Sequence, residues 1–185
     1  MRVIAGEAHG RRLRAPRGMT TRPATGRVRE SIFSRIAARA DIAGMRVLDL
    51  FAGSGSLALE ALSRGAASAV MVDSSRAAAA AIRDNLETLG LADRARVIVA
   101  SVERALVSLK DRGDQFDLVF IDAPYRHDSS ARVLETLAAS AMLAAGAFVM
   151  VRQSDRAAEP LEGGPLARVS YATLGGHRLA LFRAP

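Results

Sequence analysis

The feature that most constrains the fold is a regular alternation of short apolar runs with amphipathic segments through the middle of the chain. The apolar runs, in chain order, are MRVLDL, SAVMVD, ARVIVA, FDLVFID and GAFVMVR. Strands that are apolar along their whole length are buried on both faces, as in a parallel sheet covered by helices. The last stretch alternates on both sides of Gly175-Gly176, which is typical of an antiparallel hairpin. The pattern therefore predicts an α/β fold whose sheet is mostly parallel and ends in a hairpin.

The first 40 residues follow a different pattern. RVIAG and RRLRAP, with His9-Gly10 between them, predict a small hairpin. Val28, Ile32 and Ile36 then recur at the spacing of one apolar helix stripe. We therefore predict a basic extension over residues 1–40 and an α/β domain over residues 41–185.

Positive charge is concentrated in that extension. Residues 1–35 contain nine arginines against Glu7 and Glu30, a net charge of +7, and residues 36–185 carry 17 basic and 17 acidic residues. A basic segment on a neutral domain is the expected footprint of a protein that binds nucleic acid. The alternative interpretation is a solvated basic face without a partner.

Composition excludes several classes of protein. The chain has no cysteine, so it has neither a disulfide framework nor a thiolate nucleophile, and a reducing, cytoplasmic compartment is expected. The most apolar long run, residues 138–151, is shorter than the ~20 residues of a membrane span. The three histidines are scattered, which argues against a metal site. A monomer is expected.

A glycine turn follows the first strand of the predicted sheet. In DLFAGSG, Asp49 to Gly55, the glycines allow the backbone to approach a ligand closely. Asp73 ends the second strand 20 residues after Gly53, where an acid suits ribose hydroxyls. Asp49 would repel a pyrophosphate but would attract an ammonium group. These residues favour S-adenosylmethionine (SAM) over a dinucleotide such as NAD; a site without cofactor, in which both acids only cap backbone amides, is the third possibility.

The fourth strand ends in the tetrad Asp122-Ala123-Pro124-Tyr125. Pro124 favours an extended Ala123, so the Asp122 carboxylate and the Ala123 carbonyl become neighbouring acceptors. Two acceptors beside the ring of Tyr125 suit a planar nucleobase with an exocyclic amine. A carboxylate can accept from both N1–H and N2–H of guanine, which tilts the interpretation toward guanine over adenine. The alternative is a strand terminator with a packed tyrosine.

These motifs together resemble the RsmD family of bacterial small-subunit rRNA guanine-N2 methyltransferases. MRVIAG, TRP and RVRESIF are similar to the family's N-terminal extension, VLDLFAGSGSLALEALSRGA to its SAM loop, and FDLVFIDAPY to its amine motif. The resemblance implies a class I SAM-dependent methyltransferase fold with seven strands. It also implies methylation of the N2 of one guanine in 16S rRNA within a small-subunit assembly particle.

The resemblance also implies roles for individual residues. Those implied for the cofactor are Asp49, Phe51, Gly53 and Gly55 at its methionine end, Asp73 at the ribose, and Ser101 and Val102 near the adenine. Those implied for catalysis are Asp122, Ala123, Pro124 and Tyr125. Those implied for RNA phosphates are Arg11, Arg12, Arg22, Arg27 and Arg29, and we add Arg126 because it follows the tetrad.

The chain departs from the family pattern at two site positions. Ala123 replaces the first proline of Asp-Pro-Pro-Tyr, which we expect to weaken preorganisation without abolishing activity. Ser101 stands where many relatives have an acid that reaches adenine. The same chemistry on adenine N6 or on DNA stays open, as do an NAD-dependent oxidoreductase and a non-catalytic RNA-binding assembly factor.

Overall fold

A computed structural model describes residues 1–16, 25–123, 129–155 and 164–185. Its helices are α1 Gly26–Ala37, α2 Ser56–Ser63, α3 Arg76–Leu89, α4 Val102–Asp111 and α5 Ser129–Ala138, with a 3₁₀ turn at Ala92–Arg94. Its strands are β1 Arg46–Leu50, β2 Ser68–Asp73, β3 Ala95–Val99, β4 Phe116–Ile121, β5 Leu143–Ser154, β6 Ala167–Leu174 and β7 His177–Arg183. Strands and helices alternate as the apolar runs predict.

The seven strands form one sheet in the order β3-β2-β1-β4-β5-β7-β6. Strands β1 to β5 are parallel, and β7 runs antiparallel to both β5 and β6. Gly175 and Gly176 join β6 to β7 with φ values of +59° and +78°, the left-handed conformation that a two-residue hairpin turn requires. The predicted terminal hairpin is confirmed.

The central strands β1, β4 and β5 are buried on both faces, which explains why they lack polar alternation. Val47 of β1 belongs to one core cluster, with residues of α1, α2 and α3. Leu48 and Leu50 of the same strand belong to the other cluster, with residues of α4 and α5. Successive side chains of a strand point to opposite faces, so each core strand needs apolar residues at every position.

The N-terminal segment shares a core with the sheet. Val3, Leu13 and Phe33 lie in the same cluster as the β1 and α2 residues, so the described part of the extension has no separate core. The predicted N-terminal hairpin is reduced to one antiparallel bridge, between Arg2 and Arg12. Val28, Ile32 and Ile36 are buried, which confirms the apolar stripe of α1.

Both ends of α3 follow ordinary capping chemistry. The Ser75 hydroxyl accepts a hydrogen bond from the Ala78 amide at 3.2 Å and caps α3. Gly90 ends the same helix at φ +72°. Among the described residues, no helix has the length and apolar character needed to cross a membrane.

Candidate active site

Asp49, Asp73 and Asp122, three of the predicted site residues, lie at the edge of the sheet where the parallel strands end. The Ala52 amide donates to the Val72 carbonyl at 3.0 Å, which links the turn after β1 to β2. The Asp122 amide lies 3.5 Å from the Leu50 carbonyl, which links β4 to β1. Ligands of open α/β sheets bind at this edge. We call it the site rim: the turns after β1 to β5 at their carboxyl ends.

The turn after β1 is held in an unusual backbone conformation. Phe51 has φ +62°, the only positive φ of a non-glycine residue in the described chain, and Gly53 and Gly55 have φ +57° and +74°. A bulky residue in this region is strained by about 1–3 kcal/mol, and such strain concentrates at ligand sites. Gly55 faces the protein: an added Cβ would lie 3.1 Å from the Met71 sulfur. It therefore serves helix packing, while Phe51 and Gly53 shape the rim.

Asp49 is a buried carboxylate with an unused acceptor. It is 1 % exposed, and its Oδ2 accepts from the Ala58 amide of α2 at 3.1 Å. Its Oδ1 is buried without a hydrogen-bond partner among the described residues. Burial raises the pKa of Asp49 to about 8, and the negative charges of Asp122 and Asp73 add to that rise. A cationic group placed beside Oδ1 would satisfy the atom and stabilise the ionised carboxylate.

Asp73 ties the end of β2 to the glycine turn. Its Oδ2 accepts from the Gly53 amide at 2.8 Å and its Oδ1 from the Ser75 amide at 2.8 Å. The helix cap itself is supplied by Ser75, so Asp73 is not merely an N-cap. Each carboxylate oxygen keeps a second lone pair, and Asp73 is partly exposed, so ribose hydroxyls can still be accepted.

The charges of the rim favour a cation over an anion. Asp49 experiences the fields of both Asp73 and Asp122. A pyrophosphate would add negative charge beside these acids and would be repelled, whereas an ammonium or sulfonium group would be attracted and would favour the ionised form of Asp49. Among the residues that the structure describes, no group of three histidine or acidic side chains is arranged to hold a metal ion. The orphaned Oδ1 of Asp49 therefore fits the predicted cofactor.

Asp122 is paired with an arginine that sequence reasoning missed. Arg152, on β5, donates from Nε to Oδ1 of Asp122 at 2.5 Å, and the two side chains are 10 % and 16 % exposed. Burial raises the pKa of Asp122, and the charge and hydrogen bond of Arg152 oppose that rise. The available signal was an arginine at the end of an otherwise apolar strand, next to the strand that carries the tetrad.

The remaining predicted cofactor residues lie at the start of α4. The Ser101 hydroxyl accepts from the Arg104 amide at 3.4 Å and caps this helix, and Val102 is buried. Ser101 therefore has a structural role, and its predicted adenine contact stays a prediction. Ala123 is partly exposed beside Asp122. Pro124, Tyr125 and Arg126 lie outside the described residues.

The predicted RNA-binding arginines separate into exposed and buried groups. Arg12 and Arg27 are exposed, as is Arg11, which donates to the Thr88 carbonyl. Arg29 is 2 % exposed and lies 3.8 Å from Glu60. Its burial contradicts the predicted phosphate contact, because a guanidinium inside the core cannot reach RNA. Arg22 lies outside the described residues.

Two further polar residues connect the extension to the domain, one to α2 and the other to the glycine turn. Glu60 of α2 accepts from the Ile4 and Ala5 amides at 2.7 and 3.0 Å. The Asn85 amide nitrogen donates to the carbonyls of Arg14 and Ser54, so one side chain spans the extension and the glycine turn. Sequence reasoning missed both, although each is a lone polar residue on the apolar face of its helix.

The comparisons with known proteins assign this arrangement to a family. A family model described as conserved hypothetical protein 95 matches residues 1–183. Ribosomal RNA small subunit methyltransferase D of Escherichia coli K12 is 38% identical over 151 residues, 82% of this chain and 73% of the relative. The chain belongs to the RsmD family. YlbH of Bacillus subtilis 168, provisionally named an rRNA methyltransferase, is 39% identical and covers 99% of this chain and 98% of its own.

Solved structures agree with the family assignment. A hypothetical protein of Thermus thermophilus, TTHA0928, superposes with a TM-score of 0.83 at 31% identity, over 98% of each chain. An RNA methyltransferase of Salinibacter ruber, solved with S-adenosyl-L-homocysteine, has a TM-score of 0.67 at 16% identity, covers 89% of this chain and 94% of its own, and supports the fold alone. The predicted class I methyltransferase fold is confirmed, and SAM is supported as the cofactor of this RsmD-family chain.

Proposed function

We propose that this RsmD-family protein transfers a methyl group from SAM to the exocyclic N2 of one guanine in small-subunit rRNA. The observation that carries the proposal is the site rim, where Asp49 with its orphaned Oδ1 lies on β1 and Asp122 directly follows the adjacent strand β4. One acid suits the ammonium of the cofactor, and the other suits the amine of the base. An oxidoreductase would need a pyrophosphate site, which the acids of the rim disfavour.

The residues of the chain would supply positioning and electrostatics. Asp49 would hold the cofactor's ammonium, Asp73 its ribose, and Phe51 and Gly53 would shape the turn around it. The bound cofactor supplies an electrophilic methyl group on a sulfonium. Asp122 and the carbonyl of Ala123 would accept the two N–H bonds of the amine, which turns its lone pair toward the methyl group.

The charge balance of the transfer gives Asp122 its role. When the amine nitrogen takes the methyl group, whose bonding electron pair would stay with the sulfur of the cofactor, the nitrogen would become positively charged and would carry a surplus proton. An ionised Asp122 stabilises that charge and accepts the surplus proton, which then passes to water. The raised pKa of Asp122, caused by burial, makes it a better proton acceptor.

The exposed arginines of the N-terminal extension would bind the RNA. Their positive charge gives an affinity that falls steeply with salt. Small-subunit rRNA is proposed because the Escherichia coli relative is named for it. Cytoplasmic location and a monomeric state remain parts of the proposal.

The test is to incubate the protein with tritiated SAM and small-subunit particles that lack the modification, and to map the labelled nucleotide. Label on the N2 of a single guanine is expected. Label on an adenine N6 would move the proposal to the rival base. Asp122→Asn should abolish labelling while SAM binding is retained, and full labelling by this variant would contradict the catalytic role of the carboxylate. An absence of label with the wild-type protein would favour a non-catalytic assembly factor.

A further inference from the structure

We propose that Arg152 is a positioning residue for the transfer: it holds Oδ1 of Asp122 and keeps that carboxylate ionised, so that Oδ2 serves the amine of the base. The inference rests on the proposed function and deepens it. It assigns a role to a residue that lies on a different strand from the tetrad and outside its motif.

The geometry that carries this inference is a short, shielded ion pair between neighbouring strands. The Arg152 Nε lies 2.5 Å from Oδ1 of Asp122, and both side chains are largely buried. Strands β4 and β5 pair in parallel through Ile121 and Val151, so the residue that follows each pairing position projects at the same edge. The rigid sheet therefore fixes the direction of the guanidinium and, through it, the carboxylate.

Burial makes the ionisation of Asp122 depend on this partner. A carboxyl group in a dry environment binds its proton more tightly, and a cation within hydrogen-bond distance opposes that tendency. Among the described residues, Asp49 on β1 and His177 on β7 are the other titratable groups that interact electrostatically with Asp122. Asp49 disfavours ionisation of Asp122 when it is itself ionised. Burial, followed by Arg152, lowers the pKa of His177, so this imidazole is largely neutral at pH 7 and leaves Arg152 as the main counter-charge.

The two carboxylate oxygens of Asp122 therefore have different roles: Oδ1 binds Arg152, and Oδ2 accepts from the amine of the base. A neutral Asp122 would lose one acceptor and would not stabilise the positive nitrogen that forms during transfer. Arg152 prevents this by stabilising the ionised form before the base arrives. A guanidinium is suited to the role because it stays charged when buried and its planar N–H groups constrain the carboxylate.

The first experiment compares Arg152→Met, Arg152→Lys and Arg183→Met in single-turnover methyl transfer between about pH 5 and 9. Arg183 is the matched control because it lies on β7 at the opposite edge of the sheet. Arg152→Met should shift the acidic limb of the pH–rate profile to higher pH by about 1–3 units. KM for RNA and the calorimetric affinity for S-adenosylhomocysteine should stay within about twofold of wild type, a margin below 0.5 kcal/mol.

The conservative variant separates charge from packing. Arg152→Lys should restore the position of the acidic limb while its maximal rate stays below wild type, since an ammonium lacks the planar N–H groups. Arg183→Met should keep the wild-type profile. A wild-type acidic limb in Arg152→Met, or a rate loss that is equal at every pH, would overturn the inference. If the acidic limb of the pH–rate profile disappeared in His177→Gln, the titrating group would be the imidazole, and the inference would also be overturned.

A second readout does not need catalysis and keeps the inference distinct from the proposed function. Urea midpoints of wild type, Arg152→Met, Asp122→Asn and the double variant form a cycle at pH 5 and pH 8. Arg152→Met should lower the midpoint at pH 8 by more than it does in the Asp122→Asn background. Additive changes at both pH values would refute the ion pair, whatever base the enzyme methylates. If the coupling holds and the label maps to an adenine, only the guanine proposal fails.

Discussion

Two buried carboxylates on either side of the turn after β1 differ in how they are satisfied. Glu60 of α2 is 0 % exposed and accepts from the amides of Ile4 and Ala5 and from the guanidinium of Arg64. Asp49 of β1 is 1 % exposed and, among the described residues, accepts only from the amide of Ala58, with Oδ1 orphaned. Burial is the same, yet the described chain satisfies one acid and leaves the other incomplete.

The difference separates a structural carboxylate from a binding one. An ionised group in the interior is tolerated when hydrogen bonds and an opposite charge replace its water. Glu60 has these, including Arg29 at 3.8 Å, and it fixes the N-terminal extension onto α2. Asp49 has no ion-pair partner in the part of the chain that the structure describes. A cationic ligand is the partner that would complete it.

The largest expected effect comes from breaking the satisfied carboxylate. Glu60→Gln should lower the free energy of unfolding by about 3–5 kcal/mol, because it leaves Arg29 buried without its counter-charge. A glutamine amide also has one acceptor oxygen in place of two, so it cannot accept from the Ile4 amide, the Ala5 amide and the Arg64 guanidinium at once. Urea denaturation followed by circular dichroism measures the change. Glu87→Gln, at an exposed position of α3, is the matched control and should stay within about 0.5 kcal/mol of wild type.

A small effect of Glu60→Gln, close to that of Glu87→Gln, would break the comparison. It would mean that the contacts of residues 1–5 with α2 contribute little to the stability of the fold. In that case Asp49→Asn and Glu60→Gln should have similar urea midpoints. We expect instead that Glu60→Gln lowers the midpoint, whereas Asp49→Asn keeps or raises it. Asparagine is neutral in both the folded and the unfolded chain, so the variant loses the cost of keeping Asp49 protonated in the folded protein, where burial raises its pKa to about 8.

The sequence predicted the fold closely and the site in part, and the same physics explains both. Continuous apolar strands and glycine stops are local signals, so β2 begins and ends at the predicted residues and β4 ends one residue earlier. The Arg152–Asp122 pair depends on the register of β5 against β4, which no local pattern encodes. The predicted RNA contact of Arg29 was wrong because Arg29 shares a buried helix face with Phe33 and Ile36, at successive intervals of four and three residues. Ile36 belongs to the predicted apolar stripe, but Arg29 itself does not.

The second expected effect concerns the unsatisfied carboxylate. Asp49→Asn should weaken binding of SAM by about 1.5–3 kcal/mol, roughly ten- to a hundredfold in Kd, since a charge-assisted hydrogen bond to an ammonium is lost. Isothermal calorimetry with S-adenosylhomocysteine, which keeps the ammonium, measures the change. Asp117→Asn is the control, because this acid pairs with Arg46 at the opposite edge of the sheet. Equal affinity of Asp49→Asn and wild type would remove Asp49 from the cofactor site.

A third effect sharpens the comparison through pH. The pKa of Asp49 is raised from 3.8 to about 8 by burial, so the folded free protein carries a proton at neutral pH that the unfolded chain has lost. The free energy of unfolding should therefore fall as pH rises from about 4 to 8, and Asp49→Asn should flatten that slope. A slope that is identical in the variant would assign the titration to another group.

Cofactor binding should make the same proton visible. An ammonium beside Asp49 favours the carboxylate, so binding near pH 6.5 should release about one proton, and the release should vanish in Asp49→Asn. Calorimetry at one pH in buffers of different ionisation enthalpy counts the protons. Wild-type binding without proton release would contradict the raised pKa.

The smallest effect distinguishes two arginines on α1, of which one is exposed and the other is paired with the satisfied carboxylate Glu60. Arg27 is exposed and Arg29 is buried against Glu60. Arg27→Gln should weaken RNA binding a few-fold and reduce the slope of log affinity against log salt by about 0.7–0.9, the share of one phosphate, with stability unchanged. Arg29→Gln should lower stability and leave that slope as in wild type, since its guanidinium meets protein only. Filter binding at several KCl concentrations, beside urea midpoints, separates the two. If only Arg29→Gln reduced the salt slope, the guanidinium would have to leave the core to contact RNA. Its ion pair with Glu60 would then break when RNA binds.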